Sequence, residues 1–471
     1  MWTDILLMMR VEMWLTAMII LLLFTRLSGS FINNNAVISI VNAGLLLLLI
    51  SGFFIKNGGQ AFGDMFYQND LLRLQKNMMI LGTLLVSLQA HTWISAHKHA
   101  MEFYLLLLTS LLGLCFMLSS GNLLMFYVGL EMSTIPLAAL ANFDLHRKRS
   151  SEAAFKMIVS SAFASGMLLF GISWIYGSTG SISFSAIPQL LTGSSMQVFA
   201  LVWIMAGFGF KISMVPFHLW TADVYEGSPM PVTAFLSVMS KGAVVFAFVS
   251  VLYKVFSPMQ GIWYNMLYIL AILTMLIGNL FALRQQNIKR FLAFSSVTQI
   301  GFILVGISGS SGTSVASVIF FVLVYLFSNL AAFGVVSAVS YATGKEAISD
   351  YKGFRKSNPA LAWALAIALF SLAGIPPMAG FFGKFFLLLA GAAKNNWWLI
   401  IIAALNMIIA MAYYMRIVKF MFMDDNPKPM SLVTVHQLPK LAIGICIAGI
   451  LLTGVMSGAY QYIVELIGMH A

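Results

Sequence analysis

GFGFKISMVPFHLWTADVYEGSPMPVTAFLSVMSK, residues 207–241, sets two lysines, Lys211 and Lys241, among apolar residues, with Pro216 five positions after the first. On both sides the chain stays apolar: 60% of its 471 residues are hydrophobic, 9% are charged and the mean hydropathy is +0.92. Ordinary soluble domains carry about 25% charged residues, and a soluble protein of this size needs a charged exterior. The composition therefore excludes a soluble enzyme, a nucleic-acid binder and a disordered chain. The excess of 26 Lys and Arg over 15 Asp and Glu reads as basic loops on one side of a membrane. Cys115 and Cys446 both lie in apolar runs and supply neither a disulfide framework nor a metal or redox centre.

An apolar run of about 20 residues crosses the hydrocarbon core as a helix, because a helix pairs its own backbone groups. Such runs centre near residues 18, 44, 84, 110, 131, 165, 208, 242, 272, 300, 328, 375, 407 and 453. The expectation is an all-α polytopic membrane protein, a single membrane domain over 1–471 with about fourteen transmembrane helices, short connections and no cleavable signal peptide. The basic residues test that count. Loops after odd-numbered spans hold sixteen of the 26, among them Arg147, Lys289, Arg290 and Lys428. Loops after even-numbered spans hold five: Lys56, Arg73, Lys76, Lys254 and Lys394. The positive-inside rule then places both termini on the non-cytoplasmic side.

With Arg10 near the amino terminus set aside, four lysines remain inside spans, Lys156, Lys211, Lys241 and Lys384, together with Glu131. A charge at the bilayer centre costs roughly 2.5–3.5 kcal/mol on insertion scales, so intramembrane charges are functional by default. Glu131, in FYVGLEMSTIPLAAL, has no other charged residue between Glu102 and Asp144. Its bland alternative is a neutral acid hydrogen-bonded for packing. Lys156 follows Glu152 by four residues, so a helix-surface ion pair competes with a role in transport. Burial disfavours the charged form of lysine and a nearby carboxylate restores it, which lets a small rearrangement load or unload a proton. These charges point to ion translocation and leave the ion open.

Proline interrupts a helix, and irregular backbone at membrane depth is tolerated where it is buried or lines a wet cavity. Pro216 follows Lys211, and Pro376-Pro377 precedes Lys384 by seven residues, so spans seven and twelve are predicted to be broken. They stand five apart. An odd repeat length inverts the copy in the membrane, which predicts two inverted five-helix repeats. The organisation expected is amino-terminal helices 1–3 over 1–100, a first repeat of helices 4–8 over 101–256, a second repeat of helices 9–13 over 257–423, and helix 14 over 424–471.

The quoted segment 207–241, SLAGIPPMAGFFGKFFLL (371–388) and NIKRFLAFSSVTQIGFIL (287–304) together resemble the antiporter-like membrane subunits of respiratory complex I, the proton-translocating NADH:quinone oxidoreductase. The resemblance extends over nearly all of the chain. Within the family, TADVYEGSPMPVTAFLS, the length and lysine at 384 resemble the subunit N branch. The resemblance implies that Glu131 and Lys211 form the charged pair of a first half-channel, with Lys241 a central relay and Lys384 beside a second half-channel. Lys156 would modulate the surroundings of Lys211. It also implies a chain with no cofactor or metal of its own, since NAD, FMN, iron–sulfur clusters and quinone belong to partner subunits. Partners implied are the antiporter-like subunit M and small subunits such as K and J, in a bacterial inner (plasma) membrane. One departure is Gln299, where many relatives carry histidine; glutamine can hold a water but does not titrate.

His218, in VPFHLW, is either a proton-carrying group or a hydrogen-bonding partner for backbone freed by Pro216. His91, His97 and His99 read as solvated loop histidines beside Lys98, without the acidic companion a metal site would favour. The nearest rival function is a subunit of a multi-subunit sodium/proton antiporter, which shares the lysines. A membrane scaffold would need none of them to titrate, and a solute carrier would need ligand groups that the sequence does not display.

Overall fold

The computed structural model describes residues 2–28, 33–55, 58–427, 430–456 and 458–468; Lys56 and Lys428 of the charge count lie outside them. Among the described residues, twelve helices are long and apolar enough to cross a membrane. Arg10–Leu27 is a further eighteen-residue helix whose apolar run is edged by Arg10, Glu12 and Arg26. Both proline signals mark interruptions. Ser195–Ile212 stops before Pro216 and the chain resumes as Leu219–Gly227, while Pro359–Ala373 and Ala379–Ala392 flank the residues around Pro376-Pro377. Large apolar side chains stand outward on the helices, such as Phe54, Phe155 and Phe163, as a hydrocarbon surround allows.

Local chemistry sets several helix starts. Asn122 accepts a hydrogen bond from the Met125 amide and opens Leu123–Ala141, the helix of Glu131. Asn287 does the same for the Lys289 amide and opens Ile288–Ser308, the helix of Gln299. Caps of this kind contribute about 1 kcal/mol each. Asn69 caps the Leu72 amide and starts Asp70–Ile94 earlier than the polar stretch QNDLLRLQKN suggests. That corrects the sequence reading of Arg73 and Lys76 as loop residues: both lie in this helix and are buried. His91 is likewise helical, its ring stacked on His436 at 4.3 Å. A hairpin unforeseen in the sequence joins Asn34–Phe54 to Asp70–Ile94, β1 (Gly59–Ala61) antiparallel to β2 (Phe66–Gln68) with Gly59 opposite Gln68. Strands of three residues are too short to show an alternating pattern.

The chain forms two compact units. The first comprises Met1–Ser87, Trp93–Ile212 and Gly227–Asn265. In it Ala100–Leu118 and Leu123–Ala141 run antiparallel and nearly touch: a Cβ on Gly129 would sit 2.6 Å from the Met117 amide nitrogen. Lys148–Thr179 packs along Ser195–Ile212, and Met230–Val255 is almost wholly buried. The second unit comprises Leu88–Thr92, Ser213–Glu226 and Met266–Ala471. Ile288–Ser308 is buried along its length there. Gly312–Thr343 is packed by Pro359–Ala373, Ala379–Ala392 and Gln437–Val455. Cys115 and Cys446 are free, buried thiols.

Candidate functional site

Three helices of the first unit build one polar cluster. Leu123–Ala141 supplies Glu131 and, one turn on, Thr134; Lys148–Thr179 supplies Ser161 and Ser165, also one turn apart; Ser195–Ile212 supplies Lys211 next to its carboxyl end. Lys211 Nζ donates to Ser161 Oγ at 2.7 Å and to Thr134 Oγ1 at 2.9 Å, and stands 3.5 Å from Glu131 Oε1. Ser165 Oγ donates to that same carboxylate oxygen. The lysine is 8% exposed and the glutamate 23%.

The distances rank the interactions. Hydroxyls hold the ammonium more closely than the carboxylate does, and a serine holds the carboxylate. At an effective dielectric near 20, two charges at this range attract by roughly 4–5 kcal/mol. The carboxylate is therefore the strongest electrostatic influence on Lys211, while Ser161 and Thr134 hold its ammonium from the other helices. The sequence displayed the two charges; it did not display the hydroxyls. Serines four apart on one face of an apolar span were the available signal.

Lys241 follows a π-helical turn, Leu236–Ser240, in the same unit, and its side chain is 2% exposed. A π turn adds a residue to the ring of the backbone bond and shifts the helix face that follows; such turns recur at functional sites. Lys156 pairs with Glu152 at 2.7 Å, both partly exposed, on the helix that also carries Ser161.

The second unit holds Lys384 by a different device. Pro359–Ala373 ends on Gly374, whose φ of 84° is in the left-handed region that favours glycine. The last carbonyls of a helix have no partner within it and carry the negative end of its dipole. Lys384 Nζ takes two of them, Leu372 O at 2.7 Å and Ala373 O at 3.2 Å, and lies 4.9 Å over the Phe302 ring. The break thus makes the lysine's site. Gln299 Nε2 donates to the same Leu372 carbonyl at 3.1 Å and to Tyr414 Oη at 3.1 Å, while its Oε1 is buried with no hydrogen-bond partner among the described residues. Beyond it, Asn279 bonds Asn406, Thr298 and Tyr413.

At the other break, Ser213 takes a left-handed φ of 63°. Its hydroxyl accepts from Thr221 at 2.6 Å, and the Val215 amide freed beside Pro216 donates to Thr274 Oγ1 at 3.1 Å. His218 is buried, its ring 6.1 Å from that of Phe281. The half-helix Leu219–Gly227 is tied down by charges that the sequence reading had not joined. Arg290 contacts Asp223 at 2.7 Å and Glu226 at 2.9 Å, and Lys289 contacts Glu346 at 3.0 Å. Burial pushes the Glu346 carboxyl up, but Lys289 and the Ser340 hydroxyl outweigh it and hold the group below its ordinary value.

Residues 120–410 match the family described as NADH:quinone oxidoreductase/Mrp antiporter, transmembrane region. The chain is 44% identical over 432 residues to the NADH-quinone oxidoreductase subunit N of Azobacteroides pseudotrichonymphae, covering 90% of each chain. It superposes on a chain of respiratory complex I from Thermus thermophilus with bound aureothin, with a TM-score of 0.83 and 27% identity over 95% of this chain and 97% of that one. It also superposes on a chain of the Mrp complex from a Dietzia species, with a TM-score of 0.88 and 20% identity over 99% of this chain and 97% of that one, a likeness of fold.

Proposed function

The chain belongs to the family of membrane subunits shared by NADH:quinone oxidoreductase and Mrp antiporters, and on that footing we propose that it is the subunit N-type proton-translocating member of a complex I membrane arm. Electron transfer from NADH to quinone takes place in other subunits, which carry NAD, FMN, the iron–sulfur clusters and the quinone site. This chain moves protons. The observation that carries the reading is the Glu131–Lys211 pair at 3.5 Å, held from three helices, one of which breaks just after Lys211.

The chemistry follows from the geometry. With Glu131 near, the Lys211 ammonium is stabilised; with Glu131 drawn away, the buried ammonium loses its counter-charge and its proton is released. Thr134 and Ser161 keep the side chain in place through the change, and Ser165 keeps the carboxylate hydrogen-bonded. Lys241 receives the proton and passes it toward Lys384, which the helix-end carbonyls stabilise as a cation. Gln299 contributes by placing a water at its open acceptor, and Lys156 sets the local charge through Glu152. Redox energy is required for direction, since moving one charge against the field costs about 2.3 kcal/mol per 100 mV.

The two breaks support the reading of 101–256 and 257–423 as inverted repeats, with 1–100 and 424–471 as flanking helices. The basic loops support an orientation with both termini non-cytoplasmic in a bacterial inner membrane. Subunits M, K and J are the proposed neighbours. A sodium/proton antiporter subunit is the rival, and the Mrp-like fold does not separate the two; the 44% identity to a subunit N favours complex I. Native separation followed by mass identification of co-migrating proteins tests it. Flavin- and iron–sulfur-containing NADH-oxidising subunits are expected, and their absence, with sodium flux, would favour the antiporter.

A further inference from the structure

The second unit carries a groove that the proton path does not use. It lies between Pro359–Ala373 and Gln437–Val455 and has a volume of about 500 Å³. Ala364 and Ile367 line it from the first helix, Gly444 and Ile447 from the second, and Val433 and Val435 from the segment that leads into the second. That segment is pinned. The buried Asn358 accepts from the Val433 amide at 2.7 Å and donates to the Ser431 carbonyl at 3.0 Å. Asn358 directly precedes the first helix and Val433 shortly precedes the second, so these bonds set both helix starts on one face and wall the groove there.

The polarity of the groove is graded. Lys440 lies three residues into its helix and Trp363 four residues into the other, about 5–6 Å from the helix starts at 1.5 Å per residue. From Lys440 to Ile447, about 10 Å further in, the lining is apolar. A lysine and a tryptophan one turn into apolar spans are residues of lipid-headgroup depth. A second cation borders the mouth: Arg355 stands 5.5 Å over the Phe422 ring, and the Trp363 ring lies 4.8 Å from that same ring. Lys356 is paired with Asp425 at 2.5 Å, whereas neither Lys440 nor Arg355 is in an ion pair among the described residues. Gly444 adds a separate observation. Glycine inside a helix is destabilising relative to alanine, yet a Cβ here would meet nothing within 4 Å, so the residue serves no close helix contact and leaves open volume in the groove.

We propose that this groove binds one anionic phospholipid of the surrounding bilayer. An acyl chain lies along Ala364, Ile367, Gly444 and Ile447, and the phosphate is held by Lys440, with Arg355 adding to the field. A ligand with one anionic end and an apolar tail matches the grading, and basic pockets between membrane helices select such headgroups. An apolar helix of a partner subunit would leave Lys440 without a counter-charge. The inference is independent of the proton-translocating reading.

The test incubates the purified, assembled complex in mild detergent with phosphatidylglycerol carrying a photoactivatable group in its acyl chain, and identifies labelled peptides by mass. Labelling is expected within 360–367 and 443–447, displaced by unlabelled phosphatidylglycerol and not by phosphatidylcholine. Lys440→Gln, at an exposed position, should lower it about fivefold, the effect of one lysine near an anionic lipid surface. Gly444→Leu should abolish it by filling the groove. Equal displacement by the two lipids, or unchanged labelling in Lys440→Gln, would mean contact with bulk lipid only and overturn the proposal. No labelling of these segments would also overturn it and assign the groove to a partner subunit. Where Gly444→Leu does not assemble, the lipid competition and Lys440→Gln decide.

Discussion

Lys211 and Lys384 are both buried ammonium groups, yet their partners differ in kind, and the difference predicts different responses to substitution. Lys211 leans on side-chain hydroxyls, so Thr134→Val or Ser161→Ala removes one charge-assisted hydrogen bond worth roughly 1.5–3 kcal/mol. Proton translocation by the assembled complex should fall by about tenfold or more, measured as dye quenching driven by NADH, while folding is little changed. Lys384 leans on backbone carbonyls, so Lys384→Met removes the lysine donor from Ala373 O and leaves Leu372 O with Gln299 alone. Thermal unfolding in detergent should show a loss of about 1–3 kcal/mol alongside the loss of pumping. Glu131, Lys211, Lys241 and Lys384 were legible because a charge contrasts with an apolar run. Thr134, Ser161 and Ser165 were not, since hydroxyls in spans commonly bond their own helix and give no contrast. Lys76 was read as a loop residue for the opposite reason: polar neighbours at the helix start masked its place in the span.

Among the elements, the broken helices read most clearly from sequence, because proline acts locally and needs no partner. What each break does with its freed groups depended on tertiary contacts that no local pattern reports, such as Thr274 on the Val215 amide. Gly374 offers a test at this scale. Its φ of 84° disfavours any side chain, and a Cβ there would meet Lys384 Cδ at 3.2 Å. Gly374→Ala should cost roughly 1–2 kcal/mol of stability and reduce pumping by displacing the lysine, whereas Gly177→Ala, where a Cβ meets open space, should do neither. Thermal unfolding and proton yield check both. The start of Ile288–Ser308 offers a pH test. Glu346 is held below its ordinary value of 4.5 by Lys289, so its contribution to stability is complete above that value and is lost as pH falls through the lowered one. The difference in melting temperature between wild type and Glu346→Gln should be constant near neutral pH and shrink in acid; a difference that persists there would contradict the assignment.

At the scale of the whole molecule, composition alone established a polytopic membrane protein, and the ordered motifs established the family. The β1–β2 hairpin and the true start of Asp70–Ile94 were lost because short polar stretches between spans look alike whether they are loop, strand or helix. The central claim is that the Glu131–Lys211 pair is the switch by which this chain translocates protons. It is tested most directly by reconstituting the assembled complex with Glu131→Gln or Lys211→Met into vesicles and measuring protons moved per NADH oxidised. The account predicts that either substitution sharply lowers the proton yield while the flavin-site oxidation of NADH with an artificial acceptor continues. An unchanged proton yield in both variants, in a complex of normal composition, would contradict it.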